Sequence, residues 1–124
     1  MRQEVIKIDA LFSQYIRKRA LNRVNGCERC LQGKTSTKKL HCAHMFPRRK
    51  YSVRWDIDNA CGLCPGCHRF LDDNALDKVR FFVALLGQET FDLLEARSTQ
   101  GKPDIGAITL YLQSKLKEIE NEGG

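Results

Sequence analysis

Four of the six cysteines form two pairs with C-x-x-C spacing, Cys27/Cys30 and Cys64/Cys67. At that spacing one tight turn can aim both thiolates at the same ion, and two such turns complete a tetrahedral four-sulfur zinc site. Gly26 and Gly66 stand where the chain must fold sharply, and Pro65 stiffens the second turn. Competing explanations are a redox C-x-x-C, a pair of disulfides, or unligated core thiols. A redox motif is expected once, beside a βαβ pattern, and the sequence shows no such pattern. Cys42 lies in an apolar strand pattern and reads as a small buried hydrophobe. Cys61 lies near enough to the second pair to compete as a ligand, at a less regular spacing. The three histidines, His41, His44 and His68, cluster between the start of the first strand candidate and the end of the second knuckle, His68 directly following Cys67, and Asn59 falls in the same stretch. Imidazole is the side chain best suited to taking a proton or holding a metal near neutral pH.

The gap between the cysteine pairs is wider than in a plain zinc ribbon, so an element is inserted between two zinc knuckles. The sequence predicts a strand over 40–46, ended by Pro47, a basic turn of Arg48, Arg49 and Lys50, and a second strand over 51–55, together a long-looped hairpin. Upstream, Ile8, Phe12, Tyr15, Ile16 and Ala20 recur at helical spacing, predicting a helix over 9–24 with Asp9 as its N-cap. Its basic residues, Arg17, Lys18, Arg19 and Arg23, suit either a solvated helix end or phosphate contact. Downstream, a short helix is expected from the second knuckle to Leu71, broken at 72–74. A second helix follows with Leu76, Val79, Val83 and Leu86 on one face, stopped by Gly87. A third spans 88–97, and the last opens at Pro103 and Asp104 with Ile105, Ile108, Leu112, Leu116 and Ile119 on one face. The expectation is an α+β chain forming a single domain over 1–124, with a core at 27–71, an N-terminal helix at 9–24, C-terminal helices over 75–121 and a disordered tail at 121–124.

Composition sets the outer limits. The chain has 124 residues, 42% of them hydrophobic, which suits one folded domain with a modest core. A formal charge of +6 and a pI of about 9.1 point to a polyanionic partner, of which nucleic acid is the commonest. Charges interrupt the apolar run at the N-terminus, so no signal peptide or membrane span is expected and the location expected is cytoplasmic. In that reducing compartment six cysteines need another explanation than disulfides.

The stretch 27–71 resembles the HNH endonucleases, in a compact phage-like form with a four-cysteine structural zinc. The resemblance is carried by Cys27-x-x-Cys30, by Cys42-Ala43-His44-Met45-Phe46-Pro47-Arg48-Arg49, by Arg54-Trp55-Asp56-Ile57-Asp58-Asn59, and by Leu63-Cys64-x-x-Cys67-His68. Asn59 and His68 have the family's separation, 68 − 59 = 9 residues. It implies a ββα-metal core: a two-stranded antiparallel hairpin between zinc knuckles, flanked by helices. It implies metal-dependent hydrolysis of DNA phosphodiester bonds, by nicking or double-strand cleavage. His44 would be the general base, His68 a ligand of a catalytic Mg²⁺, Mn²⁺ or other divalent ion, and Asn59 the side chain that holds the loop facing the base. Arg48, Arg49, Lys50 and Arg54 would contact DNA phosphates. Many family members carry Asp or His just before the general base as a metal ligand, where this chain has Ala43. Either His44 itself ligates, or His41, Asp56 or Asp58 supplies the missing ligand. Strand alternation puts His41 on the face opposite Cys42 and His44, which speaks against it. His68 could instead replace a cysteine at the zinc, and Trp55 reads as a packing residue. The rival reading is a non-catalytic zinc-ribbon module that binds nucleic acid through its basic surface. A homodimer or a targeting partner would suit so small a domain.

Overall fold

The computed structural model describes residues 2–34 and 36–123. It is an α+β arrangement. Helix α1 (Arg2–Val24) is followed by strand β1 (His41–His44), strand β2 (Ala60–Leu63), and helices α2 (Pro65–Asp73), α3 (Ala75–Leu86), α4 (Gln88–Arg97) and α5 (Ile105–Gly123). The strands pair antiparallel in the register His41↔Leu63, Cys42↔Gly62, Ala43↔Cys61 and His44↔Ala60. Among the described residues, no helix is long and apolar enough to cross a membrane.

Two apolar clusters sandwich this hairpin. On one face, Ile8, Phe12, Tyr15 and Ile16 of α1 bury against Trp55, Ala60 and the α5 stripe Leu112, Leu116 and Ile119. On the other, Ala43, Cys61 and Leu63 pack with Leu71 of α2, Phe82 of α3 and Phe91 of α4. A Cβ added at Gly62 would stand 2.5 Å from the Ala20 methyl, so glycine is what lets α1 lie so close on β2. Buried Arg19 reaches from α1 to donate to the carbonyls of Ile57 (2.8 Å) and Ala60 (2.7 Å), tying the helix to the start of β2.

The expected second strand, 51–55, is instead a 3₁₀ turn, Tyr51–Val53, and its extension. The apolar residues there are spent on packing, Val53 and Trp55 being buried, while β2 begins nine residues later, at the small buried run Ala60–Leu63. Helix α1 begins at Arg2, so Asp9 lies within it and is not its N-cap. The α1 helix ends as helices commonly do, with Asn25 at φ 59° donating its N–H to the Leu21 carbonyl at 2.9 Å. Helix α2 runs past Leu71 to Asp73, because nothing in Asp72-Asp73 forbids helix and Asn74 caps its end. Gly66 sits within its first turn, so the second knuckle needs no special glycine conformation. On α3 the buried residue is Phe82, whereas Leu76 and Val79 face solvent. Helix α5 continues through 121–123, the expected disordered tail, and position 124 lies outside the described residues.

Gly62→Ala is expected to lower the unfolding free energy by about 1–3 kcal/mol, the usual cost of overpacking. Gly66→Ala, whose methyl would meet open space, should leave it unchanged or slightly raised. Denaturant unfolding of the two variants measures this, and equal midpoints would contradict the close approach of α1 to β2.

Candidate metal centre and histidine cleft

Two glycines shape the first knuckle. Gly26 and Gly33 bridge across it, and a Cβ at Gly26 would fall 2.1 Å from the Gln32 carbonyl oxygen. Glu28, between the two thiols, fastens the knuckle to β2. Its N–H donates to the Gly62 carbonyl at 2.9 Å, and its buried carboxylate accepts from the Gly62 N–H at 2.7 Å. In the second knuckle Cys64 caps α2, its sulfur accepting from the Cys67 N–H at 3.5 Å, with Pro65 opening the helix. The two knuckles bring the Sγ atoms of Cys27, Cys30, Cys64 and Cys67 within 4.8 Å of one another, with Cys30 and Cys64 at 3.9 Å. Sulfurs of a tetrahedral site with Zn–S bonds of 2.3 Å lie roughly 3.8 Å apart, so the group can hold zinc.

The electrostatics suit a cation. Burial raises the Cys27 thiol, but backbone N–H groups at Cys64, Cys30 and Arg29 outweigh it and bring the group down to about 7. Cys67 is pushed up to about 12, first by burial and then by its sulfur neighbours, despite a 3.3 Å hydrogen bond from Arg29. A divalent ion among four sulfurs removes that conflict of charge. Cys61 is fully buried in the β2 core and is not in the group. Cys42 is half-buried, its thiol raised to about 12 by burial.

Beside this centre lies an open cleft of about 600 Å³ whose walls include His41, His44, His68, Asp72, Arg48 and Lys78. His44 stands at the end of β1 with its ring tilted against Phe12 at 5.5 Å. Its Nε2 is 3.0 Å from the Arg54 carbonyl oxygen. A carbonyl only accepts, so Nε2 carries the proton and Nδ1 keeps its lone pair. Burial holds the His44 pKa below its ordinary value, with Arg48 adding to that and the Arg54 carbonyl opposing it.

The segment that carries that carbonyl is pinned from two sides. Asn59 is fully buried and accepts from the Phe46 N–H at 2.8 Å. It also donates to the carbonyls of Phe46 (3.1 Å) and Val53 (3.0 Å). Asp9, from mid-α1, accepts from Arg54 Nε at 3.0 Å and from the Trp55 indole at 2.8 Å. Burial raises the Asp9 carboxyl, but these bonds and the charges of Arg54 and Arg48 leave it below the ordinary carboxylate range.

His68, on the first turn of α2, meets His41 and not His44. Their Nδ1 atoms are 3.0 Å apart. On its other side, His68 Nε2 lies 3.3 Å from Asp72, one helical turn on, and Asp72 also pairs with Lys78 of α3 at 3.0 Å. Burial lowers the His68 pKa, Asp72 opposes that, and His41 and Lys78 add to it. His41 does lie opposite His44 on β1, as alternation requires, but α2 packs on the His41 face. That places His41 in the cleft, although alternation spoke against it as a ligand. Asp56 and Asp58 sit elsewhere, both held by Arg97 of α4 at 2.7 and 3.0 Å.

The basic residues divide. Arg48 stays largely exposed at the cleft, 3.6 Å from Asp9. Arg49 and Lys50 line a separate groove with Lys102. Arg54 is committed to Asp9 and stacks near Tyr51 and Trp55. Asp72 and Lys78 carried no separate signal in the sequence, although the four-residue step from His68 to Asp72 would have shown it once α2 was extended (72 − 68 = 4). No protein-family model, no curated protein and no solved structure matches the chain.

Cys30 is exposed, so Cys30→Ser removes a sulfur without opening the core. The expected result is loss of bound zinc and a stability loss beyond about 4 kcal/mol, in the range of other lost structural metals. Metal content by atomic absorption and a thermal melt on one preparation measure both, and an unaltered zinc content would refute the assignment.

Proposed function

We propose that the protein is a metal-dependent DNA endonuclease with a ββα-metal core of the HNH type, bracing its catalytic hairpin with a Cys27/Cys30/Cys64/Cys67 zinc. The observation that carries this reading is that His44 and His68 border one cleft, with the His44 ring fixed through Nε2 so that Nδ1 is the basic nitrogen. The order of elements, two strands and then a helix bearing His68, is the order the resemblance implies.

His44 would accept a proton at Nδ1 from the attacking water as its oxygen bonds to phosphorus. The phosphorus–oxygen ester bond opposite then breaks, and the leaving oxygen takes a proton from solvent. Asn59 and the Arg54 carbonyl keep the ring from turning, which preserves the tautomer needed. Arg48, exposed at the rim, is placed to meet a phosphate oxygen, whereas Arg54 serves the loop through Asp9. A divalent ion bound at His68 would supply Lewis-acid stabilisation of charge on the phosphate. The basic surface and the separate Arg49/Lys50 groove fit a nucleic-acid backbone.

Incubation of supercoiled plasmid with the zinc-loaded protein and Mg²⁺, Mn²⁺ or EDTA tests the reading. Metal-dependent nicking, reduced about 10²- to 10⁴-fold in His44→Ala, is the expected result. DNA binding without cleavage under every metal condition would favour the non-catalytic zinc module. The pH profile adds a signature. A buried histidine with a lowered pKa stays neutral, hence basic, to lower pH, so the acid limb of the rate should lie below the ordinary histidine value of about 6.5. A limb above it would contradict His44 as the base.

Arg48→Ala should flatten the dependence of log binding constant on log salt by about one unit, as for the loss of one phosphate contact. An unaltered slope in a fluorescence titration over several salt concentrations would remove Arg48 from the interface.

A further inference from the structure

We infer that His41 and His68 together hold a divalent cation through their Nδ1 atoms, with the Asp72 carboxylate orienting His68 from behind. This extends the proposed nuclease reading, which needs an ion at His68 and leaves its protein partner open.

The distance is the first support. An ion about 2.0–2.1 Å from each of two imidazole nitrogens, at cis or tetrahedral angles, needs those nitrogens roughly 2.9–3.4 Å apart. His41 and His68 Nδ1 stand at 3.0 Å without the ion. The second support is the carboxylate at the opposite nitrogen. With Nε2–H of His68 donating to Asp72 at 3.3 Å, the lone pair falls on Nδ1, the nitrogen that faces His41. Lys78, 3.0 Å from the other Asp72 oxygen, holds the carboxylate from α3. The third is the strand register. His41 and the buried Ala43 share the β1 face on which α2 packs, so His41 offers from two residues upstream the donor that Ala43 lacks. The rings meet edge to face at 5.2 Å and line the open cleft, leaving room for water or phosphate oxygens to complete the coordination. Asp56 and Asp58 are occupied by Arg97 and do not compete.

Calorimetric titration with Co²⁺ of protein carrying one zinc per chain, with the visible cobalt bands read in parallel, tests the assignment. One site beyond the four-cysteine zinc is expected. His41→Ala and His68→Ala should each weaken it by more than roughly 100-fold, past the span of an outer partner, and Asp72→Asn by roughly 10-fold. His44→Ala should leave the affinity and the bands unaltered. His41 is solvent-exposed, so its variant should keep the parent melting temperature, and a melt of each variant checks this. If wild type shows no second Co²⁺ site, or if His41→Ala binds as wild type does, the inference falls. The two readings separate cleanly. A Co²⁺ site lost in His41→Ala, in a protein that never nicks plasmid, upholds the site and rejects the nuclease. Metal-dependent nicking with Co²⁺ affinity indifferent to His41 does the reverse.

Discussion

Four thiols have to reach one point, and much of the chain's geometry follows from that constraint. Cys27 and Cys30 leave a helix end, whereas Cys64 and Cys67 open another helix, so bringing them within 4.8 Å of each other closes a loop over the whole hairpin. With neutral thiols the group has little reason to gather, and with thiolates it repels. A divalent ion would turn the same four atoms into ligands of one centre. Glu28 extends this anchor sideways, since its backbone and carboxylate grip both sides of the Gly62 peptide, making the first knuckle a continuation of β2.

A two-stranded ribbon of four residues a side is marginal by itself, and its rigidity is borrowed from its neighbours. Helix α1 supplies one face, close enough to exclude any side chain at position 62, and α2 to α4 supply the other. The loop between the strands is long and is held by two polar side chains, Asn59 fully buried and Asp9 partly buried. Asn59 satisfies three backbone groups, and Asp9 gathers a guanidinium and an indole. The net effect converges on one carbonyl, that of Arg54, which fixes the ring of His44. Under the proposed chemistry, the scaffold energy of this loop is spent on one imidazole tautomer.

Alternation along β1 divides the labour of the histidines. His44 belongs to the α1 face and is half-enclosed beside Phe12, where burial holds its pKa below the ordinary value. His41 belongs to the α2 face, near the open end of the ribbon, where it meets His68 and, behind it, Asp72. Because the strand is short, both faces reach the same cleft around it.

Much of this was legible in the residues alone. The C-x-x-C spacings determine which sulfurs can share an ion, because a thiolate pair on one turn has few other geometries, and the cluster consists of those four. Apolar periodicity marked α1 and α5, since burial of one helical face imposes its own repeat. The second strand was not legible. Tyr51 to Trp55 has the bulk that strands favour, yet β2 is the modest run Ala60–Leu63, chosen because only small residues fit beneath α1. Nor could the sequence say which charges are free: Arg54 and Arg48 read alike, and only packing gives Asp9 to Arg54 and leaves Arg48 at the rim. The meeting of His41 with His68 depends on which face of a ribbon a helix lands on, a choice made by contacts far apart in the chain and therefore by the tertiary structure alone.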